Sequence, residues 1–361
     1  MADTSFGVNH ALAVKFWTRK MIHEARTRSW FNKFVGEDSN SLVQLHTELQ
    51  KNSGDTVYPM LRAQLTGAGI QGDGTLEGNE EQLQTSRDSV TLDQLRHAVR
   101  SAGRASEQRV PFSMRNEAFI GLADWYATRL DENFFNHICG NTNQSDTRYT
   151  GNNATRAPST NNHLFVGGTA EASLSASASS AFSLTTIDRM VTRAKTKANQ
   201  KIRPLRIGGE DKYAVFIHTF QLHQLRTTAA ASGNWLDIQK AAIQGGQISG
   251  NPLYTGAVGE WNGAIIHESE RVCGGSTGNT NIGTASVYRA VLCGAQAVNL
   301  VLGNNYSPDS PAWFEELFDY GNKLGVSAGM IYGMVKSQYT IGGSTEDFGT
   351  IVASTFSPDP S

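Results

Sequence analysis

Few residues in this chain are spaced for chemistry, and each arrangement has a plainer structural reading. Gly67, Gly69 and Gly72 form a GxGxxG pattern after a strand-like stretch. Such glycines bind a dinucleotide only where a helix starts, so that its first N–H groups face a pyrophosphate. Gly74 and Gly78 follow at once with no apolar helical spacing, which predicts the turn-rich tip of a ribbon instead. Asp347-Phe348-Gly349 spells a kinase magnesium motif, but no VAIK lysine or HRD loop accompanies it. His218 and His223 stand five apart, whereas a metal pair on one helix face wants a spacing of about three or four. Asp73, Glu77, Glu80 and Glu81 cluster without EF-hand spacing, which leaves a loose calcium site or, more simply, solvated acids. Cys139, Cys273 and Cys293 are far apart, odd in number and form no CxxC pair, so neither a disulfide framework nor a zinc site is expected. Asn143-Gln-Ser and Asn153-Ala-Thr are glycosylation sequons, which matter only in a secreted protein. The basic run of Arg189, Arg193, Lys195, Lys197, Lys201, Arg203 and Arg206 reads as a solvated helix face, with a subunit contact or a polyanion-facing surface as the alternative. No nucleophile, base and orienting group occur together. No catalytic residue, cofactor or metal is expected.

The composition narrows the classes further. The 361 residues carry 31 Lys+Arg against 33 Asp+Glu, a formal net charge of −2, and charged residues are 18% of the chain, below the ~25% of an average soluble protein. With 39% hydrophobic residues, a disordered chain is excluded, and so is a basic protein that holds nucleic acid by charge alone. At roughly 150 residues per domain, two or three lobes are expected. The first residues, MADTSFGVNHALAVKFW, lack the apolar region of a signal peptide. The most apolar stretches, 290–303 and 324–335, fall short of the ~18 residues of a bilayer span. A soluble protein made in a reducing cytoplasm is the expectation.

The elements that must position any site are more informative. In residues 1–36, Lys15, Arg19, Lys20, Arg26, Arg28 and Lys33 stand with one acid between them, Glu24, and with Phe16, Trp17, Trp30, Phe31 and Phe34 in the same segment. An amphipathic helix is expected over about 8–26, within an arm whose aromatic residues dock on protein; nucleic-acid contact by charge and stacking is the sharper alternative. Residues 42–100 are strand-like: Val57, Leu61, Ala63 and Leu65 alternate with Tyr58, Arg62 and Gln64, and Val90, Leu92 and Leu95 resume after the glycine-dense 64–83. Two strands around so polar a tip form a long ribbon, marginal in water by itself, so it should lie on something else, most simply another copy of the chain. Residues 111–140 give the best helix, with Ser113 as N-cap, Gly140 as terminator and Phe119, Leu122, Tyr126, Leu130, Phe134 and Ile138 on one face. At ~1.5 Å per residue it spans about 40 Å and suits a strut. Residues 141–181 form a polar boundary. Beyond it, helices near 183–199, 219–228 and 235–244 mix with strands near 213–218, 263–267 and 287–293, Pro308 and Pro311 mark an exit, and strands return at the end. The fold class is α+β.

In this order the layout resembles the major capsid proteins of tailed phages with the Hong Kong 97-type fold, in particular the family typified by the podophage N-four. The resemblance is carried by MADTSFGVNHALAVKFW at 1–17, QLTGAGIQGDGTLEGNEEQL at 64–83, LDQLRHAVRSAG at 92–103 and SEQRVPFSMRNEA at 106–118. DTRYTGNNA at 146–154, LCGAQAVNLVLG at 292–303 and DYGNKLGVSAGMIYGM at 319–334 complete it. It implies an N-terminal arm at 1–40, an extended β-hairpin E-loop with flanking strands at 41–104, and a peripheral domain at 105–182 with a long spine helix at 113–139. It also implies an axial domain at 183–312 and C-terminal strands at 313–361 that return to the peripheral domain. The implied function is a shell protein that self-assembles as hexamers and pentamers into an icosahedral capsid around double-stranded DNA. Inter-subunit contact would involve the E-loop tip: Thr66, Gly69, Ile70, Gly72, Asp73, Leu76 and Glu77. The implied partners are other copies of the chain, portal and scaffolding proteins, decoration proteins as an optional reinforcement, and packaged DNA read without sequence specificity, with no membrane. Assembly would occur in the host cytoplasm. One founding member of the fold joins an E-loop lysine to an asparagine. Here no lysine occurs between Lys51 and Lys195, so no such crosslink is expected from the ribbon. The competing readings are an enzyme with a helix starting at Gly69, a bacterial nanocompartment shell on the same fold, and a surface-layer or filament protein.

Overall fold

The apolar stripe on residues 119–138 folds as a single long helix, α1 (Met114–Ile138), whose inner side buries Phe119, Leu122, Tyr126, Leu130, Phe134 and Ile138. The computed structural model describes residues 29–50, 54–62, 65, 67–111, 113–177, 179–197, 201–227, 258–303, 313–341 and 343–360. Ser113 occupies the N-cap position with extended backbone, but its side chain makes no capping bond. Gly140 terminates the helix at φ 63°, and a Cβ there would lie 2.7 Å from the Arg156 carbonyl oxygen, so both conformation and space require glycine. Arg289 completes the cap: its Nη1 donates to the Cys139 and Gly140 carbonyls at 3.1 and 2.9 Å. A cation on carbonyls that no helical N–H can reach complements the helix dipole.

Strands are numbered in chain order. One sheet runs β1 (Val35–Gly36), β2 (Val43–His46), β14 (Val298–Leu302), β16 (Lys323–Lys336), β15 (Trp313–Phe318), with β7 (Asp93–Arg100) also pairing β16. The 14-residue β16 organises it: β15 pairs Lys323–Ala328, β14 pairs Tyr332–Lys336, and β7 pairs Gly325–Tyr332, all antiparallel. The second sheet runs β11 (Gly259–Trp261), β12 (Ala264–Glu268), β10 (Glu210–Ile217), β13 (Val287–Cys293), β19 (Thr350–Phe356), β8 (His163–Phe165), with β9 (Leu205–Ile207) on β10. Two short ladders, β3 (Thr56–Val57) with β6 (Val90–Thr91) and β4 (Met60–Arg62) with β5 (Thr85–Arg87), build the ribbon. A hairpin of β17 (Gln338–Ile341) and β18 (Ser344–Asp347) lies beside it.

The two-residue period of β10 explains how the core divides. Ala214 and Phe216 face one hydrophobic cluster with α1, the first sheet, Val291 and Val352. Tyr213, Val215 and Ile217 face the other, with α2 (Leu184–Thr196) and α3 (Thr219–Thr227), through Ile187, Met190, Leu222 and Leu225. The second sheet is therefore covered on both faces, and its central strands β13 and β19 are almost fully buried.

Most expected elements are present near their expected bounds. The expected helices over 8–26 and 235–244 and the exit at Pro308 and Pro311 lie outside the described residues. The sheets do not divide the chain linearly: β14, from the 183–312 stretch, lies in the first sheet, while β19 and β8, from 313–361 and 105–182, lie in the second. β13 and β14, joined by the short link 294–297, hold the two sheets in sequence.

Candidate assembly surface

The ribbon has two parts with opposite chemistry. Its base is packed and clamped. Val57 and Leu92 sit on the buried Val90, Val301 and Val335. Gly333 of β16 lies so close to the ribbon that a Cβ would come within 2.4 Å of the Thr91 carbonyl oxygen. Asn153 holds Thr91 by both backbone groups: Thr91 N–H donates to Asn153 Oδ1 at 3.1 Å, and Asn153 Nδ2 donates to Thr91 O at 2.8 Å. Arg156 pairs with the buried Asp88 carboxylate at 2.6 Å and donates to the Lys336 and Ser89 carbonyls. Gln338 N–H donates to Asp88 Oδ2 at 3.3 Å, and Thr340 N–H to Ser86 Oγ at 3.0 Å. Beneath the clamp, Lys336 and Asp347 form an ion pair at 3.0 Å with both side chains fully buried. Burial pushes the Lys336 ammonium below its ordinary pKa, and the Asp347 charge opposes that shift. Lys197 and Glu346 form a second buried pair at 2.9 Å.

Among the described residues, no such clamp reaches the distal part. Residues 67–84 are turns and irregular backbone without a helix. Bonds within the tip close it: Gly67 N–H to Glu81 Oε2 at 2.7 Å, Gly78 N–H to Glu80 Oε2 at 2.8 Å and Asn79 Nδ2 to Thr75 O at 3.0 Å. Gly69, Gly72 and Gly78 adopt positive φ with nothing near enough to contact an added Cβ. Leu65, Leu76 and Leu83 each expose more than half their surface, as do Tyr58 and Met60 nearer the base. Of the expected contact residues, Gly69, Ile70, Gly72, Asp73, Leu76 and Glu77 lie together on this exposed tip. Thr66 lies outside the described residues. A second uncovered apolar surface follows the outer strand β15, where Phe314, Leu317 and Phe318 are exposed beside a fully exposed Tyr320. Tyr320 and Asp319 hold positive φ of 51° and 53°, a conformation that non-glycine residues rarely adopt.

Other motifs resolve into structure. Without a helix after Gly69, the glycine motif cannot cradle a pyrophosphate. Asp347 is the buried ion-pair partner, Phe348 packs edge-on to Tyr339, and Gly349 lies against the Ala297 backbone. His218 stacks near Tyr288, and its burial lowers its pKa to about 4. Among the described residues no group of three or more His, Cys, Asp or Glu could hold a metal, and no helix is long and apolar enough to cross a membrane. The basic run divides: Arg189, Lys195 and Lys201 are exposed, Lys197 is buried against Glu346, and Arg203 and Arg206 bind Ser39 and Asn40. Of the arm's aromatic residues, Trp30, Phe31 and Phe34 dock on protein, while Phe16 and Trp17 lie outside the described residues. The Asp131 carboxylate on α1 accepts from Ser29 Oγ at 2.7 Å and Trp30 N–H at 2.9 Å, while Phe31 stacks on Phe134 at 4.9 Å. The clamp residues Asp88, Asn153 and Arg156 were not legible as a set, because 62 residues or more separate Asn153 and Arg156 from their ribbon partners.

Comparison with known proteins decides what such a fold is for. A family model described as phage capsid protein matches residues 5–359. The chain belongs to the phage capsid protein family. A major capsid protein of Pseudomonas phage KPP25 is 31% identical over 93% of this chain and 93% of its own length. The capsid of Ralstonia phage GP4 superposes with TM-score 0.75 at 31% identity, covering 92% of each chain. The Cyanophage Pam1 capsid does so with TM-score 0.72 at 20% identity, over 99% of this chain and 100% of that one. The fold is the α+β, Hong Kong 97-type capsid fold, and the function is that of a phage major capsid protein rather than of a nanocompartment shell. Its role is structural.

Proposed function

We propose that this capsid protein assembles through pentamers and hexamers into the closed icosahedral shell around the double-stranded DNA of a tailed phage, and that it does so in the host cytoplasm. Portal and scaffolding proteins are its further partners, with decoration proteins as an optional reinforcement. In this reading the E-loop is the ribbon, the peripheral domain is the β16-centred sheet with α1, and the axial domain is the second sheet with α2 and α3. The observation that carries it is the contrast along the ribbon: a base fixed by buried ion pairs, and a tip that leaves Leu65, Leu76 and Leu83 in water. A neighbouring copy that covers those side chains removes apolar surface worth about 25 cal/mol per Å². Many modest contacts then add through the effective concentration of a closed shell. A net charge of −2 neither binds packaged DNA tightly nor resists its entry. Deleting residues 67–79 should leave soluble subunits that form no closed shells under negative-stain microscopy; normal particles from that variant would overturn the proposal.

A further inference from the structure

Cys139 follows the last residue of α1, and Cys273 opens a glycine-rich loop over 273–284. Although 134 residues separate them in sequence, the fold places them side by side. Cys273 Sγ donates to the Phe135 carbonyl at 3.4 Å and lies 3.5 Å from Asn136 Oδ1, both in the last turn of α1. Cys139 N–H donates to the same Phe135 carbonyl at 3.1 Å. Arg289 joins the two as well: its backbone N–H donates to the Cys273 carbonyl at 3.0 Å and its Nη1 to the Cys139 carbonyl at 3.1 Å. Cys293, on β13, is buried nearby but makes no hydrogen bond to either sulfur among the described residues.

We propose that Cys139 and Cys273 form a latent disulfide, a thiol pair that a small hydroperoxide oxidises so as to staple the glycine-rich loop to the end of the long helix. The pair is chemically unequal. Burial opposes ionisation of Cys139, but the neighbouring Cys273 and the positive charges of Arg289 and Lys336 outweigh it and hold that thiol below its ordinary pKa. Burial, together with Cys139, pushes the Cys273 thiol well above its own. Cys139 is thus the attacking thiolate. Its sulfur takes one oxygen from the hydroperoxide; the O–O bond breaks, and with hydrogen peroxide the leaving hydroxide takes up the thiol's proton as water. The Cys273 sulfur then attacks the resulting Cys139 sulfenic acid, the S–S bond forms, and the departing hydroxide leaves as water with the Cys273 proton. Two thiols and one hydrogen peroxide give one disulfide and two waters.

The route to these buried sulfurs is the loop itself. Ser276, Thr277 and Gly278 are exposed, and the loop is held to the helix end by polar bonds: Asn141 Nδ2 to Asn281 O at 2.9 Å, Gln144 Nε2 to Asn279 O at 3.0 Å and Asn279 Nδ2 to Glu132 Oε1 at 2.9 Å. The exposed bonds among these, those made by Gln144 and by Asn279 Nδ2, open locally without unfolding the core. Only the timing, reduced inside a cell and oxidised in the released particle, rests on the proposed shell role.

The test is peptide mapping of the full-length protein after hydrogen peroxide treatment, on free subunits and on assembled particles, without reduction. The expected result is a 139–273 linked peptide that is lighter by two hydrogens and separates on reduction, with the Cys293 thiol retained. Cys293→Ser should give the same linkage. Oxidised protein should melt higher by on the order of 5 °C, because a long loop is closed in the unfolded chain, and Cys273→Ser should abolish that gain. Survival of both thiols, a 139–293 linkage, a bond between subunits, or conversion to sulfinic acid without pairing would each overturn the proposal. Subunits that map as expected but form no particles would count against the shell reading and not against the disulfide.

Discussion

The base and the tip of the ribbon are parts of one hairpin, yet they are built by different rules. At the base, every conspicuous polar group has a partner from elsewhere in the chain: Asp88 has Arg156, Thr91 has Asn153, and Lys336 beneath them has Asp347. At the tip the side-chain-to-backbone bonds stay within residues 67–81, and apolar side chains point into water. The base serves the stability of one subunit. The tip adds little to it and, in the proposed reading, is left for contacts between subunits. Damage to the two should therefore separate cleanly, with folding lost in one case and assembly in the other.

The largest effect on the subunit is expected at the buried pair. Lys336→Ala leaves the Asp347 carboxylate uncompensated in the interior, which should destabilise the subunit by about 3–5 kcal/mol, read by denaturant unfolding of free subunits. Acid comes next. Burial lowers the pKa of His137 and of His163 from 6.5 to about 4. His137 donates from Nε2 to the Thr150 carbonyl at 2.8 Å and has no partner at Nδ1 among the described residues, so the neutral ring is the form that fits. Because the unfolded chain binds the proton more readily, this contribution is complete above pH 6.5 and is lost as pH falls toward about 4. For His137 the loss is on the order of 3 kcal/mol, measurable as a falling melting temperature across that window. A flat profile there would show that these rings are not held neutral. Asn153→Ala removes both partners of the Thr91 backbone and should cost about 1–3 kcal/mol, with faster hydrogen exchange confined to the ribbon base. Leu76→Ser at the tip should change subunit stability by about 0.5 kcal/mol or less while lowering particle yield. If it instead lowered the melting point of free subunits by as much as Asn153→Ala, the division between base and tip would fail.

What the sequence revealed followed the range of the interactions involved. The helix Met114–Ile138 was legible because its burial repeats every three to four residues, and Val287–Cys293 because both its faces are apolar. The ribbon was legible from its alternation and its glycine tip. The clamp was not: Asn153 read as a sequon, Asp347 as part of a chance motif, and Lys336 was not singled out. Their meaning lies in contacts across 62, 188 or 250 residues, such as Asn153 with Thr91, Ser159 with Asp347 and Asp88 with Gln338. Sheet membership escaped for the same reason. Nothing local in Thr350–Phe356 shows that it pairs with Val287–Cys293 rather than with the neighbouring β16. Arg289 shows the limit most clearly. It is one cation in an apolar strand, and only the fold reveals that it caps a helix ending 150 residues earlier in the chain.

The claim that the tip is completed by neighbouring copies is tested most directly by hydrogen exchange on the same protein, free and assembled. Peptides spanning 67–84 should exchange quickly in subunits and slowly in closed shells, while those spanning 86–92 are protected in both. Equal, rapid exchange of the 67–84 segment in the two states would contradict it.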